Sequence, residues 1–575
     1  MLKLKAMKKS FGLIIILTIL FLTTSDCQAI VDPTTVPNNR FGIHIVSDAD
    51  LENAADLVNG NGGQWGYISL VIRQDERNTD RWRTTFNKMN RLKLIPIVRI
   101  ATTMDGSAWA KPTADDANIW AAFLDSLPWP TKNRYVSIFN EPNHANEWGG
   151  QIDPKGYTEI LKQYSMVLKN KNEDFFILSA GLDASAKNIA GTTMDEIKYL
   201  NQMQTASPDW LDYIDGWSSH SYPQPNFQGS ASATGRGSIR TFDWEINELK
   251  KIGLSKDLPI FITETGWRVP GYSRQQLDNL YISAFNNAWN RSQIVAVTPF
   301  LLNYQSEPFA DFSWQILGHS DFYPFYYTVS QMPKIVGKPT QLHRFNFINQ
   351  FPAEFVAQSH YNYDLEIENT GQSIINKDDF DFKIATEPNL TIDEIHFDPI
   401  YPGEKGAINL KFHTGENPVQ FNLVYWLQKD NQPVGDKQET KIKIYAFPDL
   451  HLQASIGLKN QTPNRWFKLF IYDLPENTAK PQISNNQTPI REYDGSIDDQ
   501  SQLLKIQDII FGKNYLLRLK VFNGLPKDIA WTPQPGLNEV KFGEVLSVDF
   551  NNNNYFDIGD IWEVIKQPLL IKQIL

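Results

Sequence analysis

Eight short apolar runs alternate with longer amphipathic stretches between Arg40 and Lys338, and from Pro339 to residue 547 only period-two segments follow. No Gly-rich phosphate turn follows the first run, which argues against a doubly wound open sheet. These observations predict a multidomain chain, a (β/α)8 TIM barrel followed by two β-sandwich (immunoglobulin-like) modules.

The 575 residues are 41% hydrophobic and 21% charged, enough to bury the cores of two to four domains. Lys3, Lys5, Lys8 and Lys9 precede the apolar run Phe11 to Leu22, and small and polar residues lead to CQA ending at Ala29. That order predicts a signal peptide over residues 1–29 and a secreted protein. At 12 residues the run is shorter than the roughly 20 of a membrane-spanning helix, with an uncleaved, membrane-anchoring N-terminal segment as the alternative. Cys27, the only cysteine, lies in this leader, and Asp26 before it disfavours lipidation. A chain starting at Ile30 has neither disulfides nor a catalytic cysteine. Four Lys and one Asp leave with the leader, taking the net charge from -11 to -14, a poor match to nucleic acid.

The catalytic domain is predicted over residues 30–338. Its strands are residues 41–46, 67–72, 94–100, 135–140, 175–180, 213–219, 259–264 and 294–302, with helical stretches such as 81–93 and 157–171 between them. Alternating segments such as YDLEIENTG, AINLKFHTG and VQFNLVYWLQ place the first sandwich at 339–448. LHLQASIGL, RWFKLFIYDL and YLLRLKVF place the second at 449–547, both as accessory modules. Residues 548–575 then carry Asp549, Asn551, Asn553, Asp557 and Asp560 at positions 1, 3, 5, 9 and 12 of an EF-hand-type loop. Tyr555 offers its carbonyl at position 7, and Asn554 replaces the usual Gly at position 6. The expectation is a structural calcium ion or an Asn-rich turn. The following IWEVIK resembles half of a dockerin repeat, which would imply cell-surface or scaffold attachment through the C-terminal modules.

In a barrel of this kind the active site forms at the C-terminal ends of the strands. Glu141 ends the fourth run and Glu264 the seventh, and two carboxylates across a barrel mouth are what glycoside hydrolysis needs. Their surroundings, Asn140-Glu141-Pro142, His220-Ser221-Tyr222 and the ITETGW of Glu264 and Trp267, resemble the clan A retaining glycoside hydrolases, which include families 5 and 39. The resemblance covers residues 38–338.

It implies a retaining β-glycosidase acting on a β-linked oligo- or polysaccharide by double displacement, with no catalytic cofactor, and the leader makes that enzyme a secreted one. Glu141 would be the acid and base, Glu264 the nucleophile, Asn140 the donor to the sugar 2-hydroxyl, Tyr222 the partner of the nucleophile and His220 a polar support. Arg73 and Trp314 are candidates for an arginine that steadies the nucleophile and a tryptophan that floors a sugar subsite. His44, Arg99 and Trp267 complete the substrate-binding set, with barrel-interior ion pairing open beside substrate contact for His44, Arg73 and Arg99. Where family 5 carries a His at the end of strand three, this sequence reads VRIATT, so either family stays open.

His144 and Glu147 read as rim residues without a role. The nine His include no HxH pair for a metal hydrolase, and no G-x-S-x-G elbow is present. The same site could instead transglycosylate, or the fold could persist as an inactive carbohydrate-binding surface protein.

Overall fold

The computed structural model describes residues 30–385, 387–457, 466–474, 487–497 and 501–567; the leader with Cys27 lies outside them. The chain divides into two compact units, Met1–Thr340 and Gln341–Leu575.

In the first unit each of the eight apolar runs overlaps a strand: β1 Gly42–His44, β2 Gly66–Arg73, β3 Leu94–Ala101, β4 Arg134–Ile138, β5 Phe175–Leu178, β6 Trp217–His220, β7 Ile260–Glu264 and β8 Ile294–Val297. All pair in parallel, β1 to β5 in one sheet and β6 to β8 in another. Parallel bridges from Leu178 to Gly216 and from Phe41 to Val297 join the two sheets into a closed ring. Such a ring has no free edge, so backbone groups are satisfied all round.

Eight helices follow the strands: α1 Leu51–Val58, α2 Thr79–Arg91, α3 Asp116–Asp125, α4 Pro154–Lys171, α5 Glu196–Ala206, α6 Thr241–Lys251, α7 Arg274–Ser283 and α8 Pro324–Ser330. The sequence logic is clearest in α4. Asp153 caps it by accepting from the Gly156 N–H, Pro154 opens it, and Lys169 and Lys171 face the negative end of its dipole. Tyr157, Leu161, Tyr164 and Leu168 form its buried stripe.

The barrel interior is filled by Tyr67, Ile95, Ile97, Tyr135, Phe176 and Phe261 among others, so the ring is a packed core with its chemistry confined to the mouth. Trp267 and Trp314, expected against substrate, are buried instead, at 2% and 1% exposure. Trp267 packs on Tyr281 and Trp289 and donates through Nε1 to the Gly229 carbonyl at 2.7 Å. Trp314 packs between Tyr281 and Phe325. Both belong to the layer between barrel and helices. Trp314→Ala should therefore destabilise the barrel by about 3–5 kcal/mol in denaturant titrations. A subsite floor would raise KM and leave stability unchanged.

The second unit is layered. Its first part holds β9 Phe345–Phe347, β10 Glu354–Val356, β11 His360–Asn369, β12 Phe380–Ile384, β13 Leu390–His396, β14 Lys405–Thr414, β15 Val419–Lys429 and β16 Gln438–Tyr445. They form sheets ordered β9-β11-β14-β13 and β10-β16-β15-β12, which share a core that includes Leu365, Ile408, Leu423 and Ile442. Unlike the alternating runs, β13 is poorly marked in sequence: a register shift between Ile392 and Glu394 breaks its period of two. The second part holds β17 Asp449–Gly457, β18 Trp466–Asp473, β19 Arg491–Ser496, β20 Ser501–Lys505, β21 Tyr515–Val521, β22 Lys527–Trp531 and β23 Leu537–Leu546. Its sheets are ordered β20-β17-β23 and β19-β18-β21-β22 over a core of Leu450, Leu469, Leu517 and Val540. No described helix is long and apolar enough to cross a membrane.

After β23 the loop folds on itself. The buried Asp549 accepts from the N–H groups of Asn553 and Asn554, and the buried Asp560 from those of Asn551 and Asp557. Asn554 has φ of 75°, the left-handed conformation required at position 6 of the loop. Asp557 and Asp560 form the capping box that starts helix α9, Ile558–Lys566.

Candidate active site

The two glutamates reach the same mouth by different devices. Beyond β4, Phe139 and Glu141 take left-handed backbone, φ 67° and 28°, which turns the chain out of the strand. The loop is pinned by the Glu141 N–H on the Gly181 carbonyl at 3.1 Å. Buried Asn143 donates to the carbonyls of Asp183 and Met194. On β7 the register against β6 slips between Ser219 and His220, which face Ile262 and Glu264, so Thr263 is the extra residue. Such a bulge re-aims the side chain that follows it.

The result is a tight cluster in which one donor atom each of Glu141, His220 and Glu264 lie within 4.8 Å of one another. His220 Nδ1 is 2.7 Å from Glu141 Oε1 and 3.8 Å from Glu264 Oε2. Tyr222 Oη donates to Glu264 Oε2 at 3.0 Å, and Arg99 Nη1 to Glu264 Oε1 at 2.9 Å. Arg99 Nη1 also donates to Asn140 Oδ1 at 2.5 Å, which leaves the Asn140 Nδ2 to donate into the cleft or to Glu147 Oε2, 3.3 Å away. The His220 ring lies where only glycine could stand opposite: a Cβ on Gly181 would come within 2.2 Å of His220 Cδ2.

The charges follow from these contacts. Burial raises the Glu264 pKa, but the cationic His220 and Arg99 and the Tyr222 hydrogen bond overrule it and hold the carboxyl below its ordinary value. Burial opposes charge on His220, yet the Glu264 charge and the Glu141 hydrogen bond lift it to about 9. The site therefore carries an imidazolium at neutral pH. His44, beside Phe300 on the mouth floor, goes the other way: burial takes it to about 3, so it is neutral.

These groups line a cleft of about 420 Å³ that holds His44, Arg99, Asn140, Glu141, Tyr222 and Glu264, with His220 behind them. Seven of the ten residues named from sequence as catalytic or substrate-binding thus meet at one place, and three do not. Besides the two tryptophans, Arg73 is misplaced. The register pairs Val71 with Arg99 and Arg73 with Ala101, so Arg73 stands one pleat further out. There it is captured by Asp75 at 3.0 Å and Glu76 at 3.6 Å, with 40% of its side chain exposed. Arg99, on β3, is the arginine that steadies Glu264.

Other lining residues carried no assigned role. Glu147 faces the cleft, and burial, then the charge of Glu141, pushes its pKa up to about 7. His144 also faces it, its Nε2 2.8 Å from Asp183 Oδ2. Both lie in the loop that carries Glu141, and that proximity in sequence is the signal that marks them. Aromatic walls come from Trp109, at the end of a short hairpin formed by Met104–Asp105 and Ala108–Trp109, and from Phe227, Phe300, Phe309 and Phe312.

No protein-family model matches the chain, and no curated protein does. Solved structures similar to it include a family 39 glycoside hydrolase from Bacteroides cellulosilyticus WH2, 14% identical, spanning 67% of this chain and 82% of that one at a TM-score of 0.37. A GH128 (subgroup II) endo-β-1,3-glucanase from Sorangium cellulosum is 15% identical over 51% of this chain and 98% of its own, with a TM-score of 0.35. A GH5_18 protein from Streptomyces cattleya, in complex with GlcNAc, is 13% identical over 52% and 80%, with a TM-score of 0.38.

Proposed function

We propose that the barrel is a retaining β-glycosidase that hydrolyses a β-linked oligo- or polysaccharide outside the cell, a clan A glycoside hydrolase by its resemblance. The observation that carries the reading is the placement of Glu141 and Glu264, with an oxygen of each within 4.8 Å, at the C-terminal mouth of a parallel barrel. Carboxyl groups about 5–5.5 Å apart suit a nucleophile and an acid on one bond, whereas an inverting pair stands roughly 6.5–9.5 Å apart to admit water.

In this reading Glu264 attacks the anomeric carbon. It is ionised, and its two oxygens are oriented by Arg99 and Tyr222. Glu141 gives a proton to the departing glycosidic oxygen; His220 holds its Oε1 and leaves Oε2 to carry that proton. The sugar becomes a glycosyl ester of Glu264. Esterification removes the negative charge that most raises the His220 pKa, so the electrostatics of the pair change as the reaction proceeds. Glu141, now ionised, takes a proton from water, which attacks the anomeric carbon and releases Glu264. The Asn140 Nδ2 donates to the sugar 2-hydroxyl, with its Oδ1 already held by Arg99. The aromatic walls supply faces for the apolar sides of the sugar rings.

The test is a panel of aryl β-glycosides and β-glucans incubated with the purified full chain. Turnover of at least one is expected, and none from correctly folded protein would overturn the reading in favour of a binding protein.

For the C-terminal loop, the oxygen donors at positions 1, 3, 5, 9 and 12 and the left-handed Asn554 support a calcium ion, although Lys520 Nζ, 3.5 Å from Asp549 Oδ2, competes for position 1. Calcium titration of the full chain should give heat and a higher unfolding temperature. No heat and no shift would leave the loop an Asn-rich turn.

A further inference from the structure

The sheet β19-β18-β21-β22 has one face on the core of its module, and among the described residues the other is open apart from the C-terminal loop at its side. Along a strand in that position the outward residues ordinarily read polar. On β18 they read Trp466, Lys468, Phe470 and Tyr472, of which Trp466 and Lys468 are exposed, Phe470 half-buried and Tyr472 buried, while the alternate residues Phe467, Leu469 and Ile471 are buried in the core. Phe522, just past β21, is 74% exposed, more than any other large apolar side chain among the described residues, and Trp466 is 56% exposed. Folding of this module gives no reason to keep such rings in water.

These residues line a cleft of about 780 Å³, the size of a small-molecule or oligomer site. Its cations are already partnered. Lys468 pairs with Glu492 and, at 3.9 Å, with Asp494. Arg518 holds Asp528 through two contacts of 2.7 Å, and Lys520 donates to Asn554. A phosphate or acidic chain would have to displace those carboxylates. What remains on offer is aromatic surface beside neutral amides from Gln487, Asn523, Asn552 and Asn554. Because β18 lies inside its sheet, paired on both sides, the cleft offers no strand edge to an added peptide strand.

From these features we infer that the cleft binds a neutral glycan chain. A pyranose presents an apolar C–H face to an aromatic ring and a rim of hydroxyls that amides bind as both donors and acceptors. The site lies wholly within Gln341–Leu575, and the inference does not rest on the activity of the barrel.

The test uses the full chain and its Trp466→Ala/Phe522→Ala variant on insoluble β-glucan, xylan and chitin, and on sulfated dextran beads as the anionic control. The parent should be retained on at least one neutral glycan. The double variant, with an unchanged unfolding temperature, should lose retention by about tenfold or more, the effect of two stacking contacts. Turnover of a soluble aryl glycoside by the variant should equal that of the parent. If the double variant does not fold, Trp466→Ala alone is measured in the same way. No retention on any neutral glycan, retention on sulfated dextran only, or equal retention of parent and variant would overturn the inference. A failure of the barrel reading would show separately, as absent turnover with retention intact.

Discussion

Glu264→Gln should lower turnover of every substrate by about ten-thousandfold or more, with the protein still folded and still able to bind. The substitution is nearly isosteric, and an amide oxygen can still accept from Arg99, so the loss is one of nucleophilicity and charge rather than of structure. A second signature follows from the electrostatics. The Glu264 charge is the largest favourable influence on His220, whose pKa stands at about 9. Removing that charge must lower the His220 pKa, because it stabilises the protonated imidazole. Titration of the ring by NMR in the variant should show a midpoint shifted downward. An unchanged midpoint would contradict the arrangement.

Glu141→Ala should behave differently from one substrate to the next. With a poor leaving group, which needs the proton, the rate should fall by roughly a hundred- to ten-thousandfold. With a dinitrophenyl glycoside the first step needs little acid assistance, so the glycosyl-enzyme should form and then wait for water that no base activates. Azide, a nucleophile that needs no base, should restore turnover and yield the glycosyl azide of retained configuration. The same loss with good and poor leaving groups, with no azide effect, would remove Glu141 from the acid and base role. The pair of variants separates the two glutamates, since azide offers Glu264→Gln no such relief on a retained product.

Much of this was legible in sequence because the relevant signals are local. Seven of the eight runs are largely apolar over their strand, the sixth, Trp217–His220, being the exception, and Glu141 and Glu264, where two of the apolar runs give way to polar residues, stand at the barrel mouth. His220 ends the sixth strand and Tyr222 follows two residues on, and the structure brings both onto the two glutamates. What the sequence hid depends on height along a strand and on packing between layers. Arg73 and Arg99 occupy equivalent-looking positions near strand ends, but one pleat of rise decides which meets Glu264 and which meets Asp75. Trp314 follows the eighth strand closely enough to suggest the mouth, yet Tyr281 and Phe325 draw it into the outer layer. Glu147 is a loop carboxylate like many others until burial raises its pKa to about 7 beside Glu141. β19, Arg491–Ser496, has polar residues on both faces and no periodic signal at all.

The account turns on two carboxylates close enough to work on one anomeric carbon from the same site. Proton NMR of the first sugar released from an active β-glycoside, recorded before mutarotation, tests this most directly. The account predicts that the β-anomer appears first and the α-anomer grows in later; release of the α-anomer first would mean that water, and not Glu264, attacks the sugar.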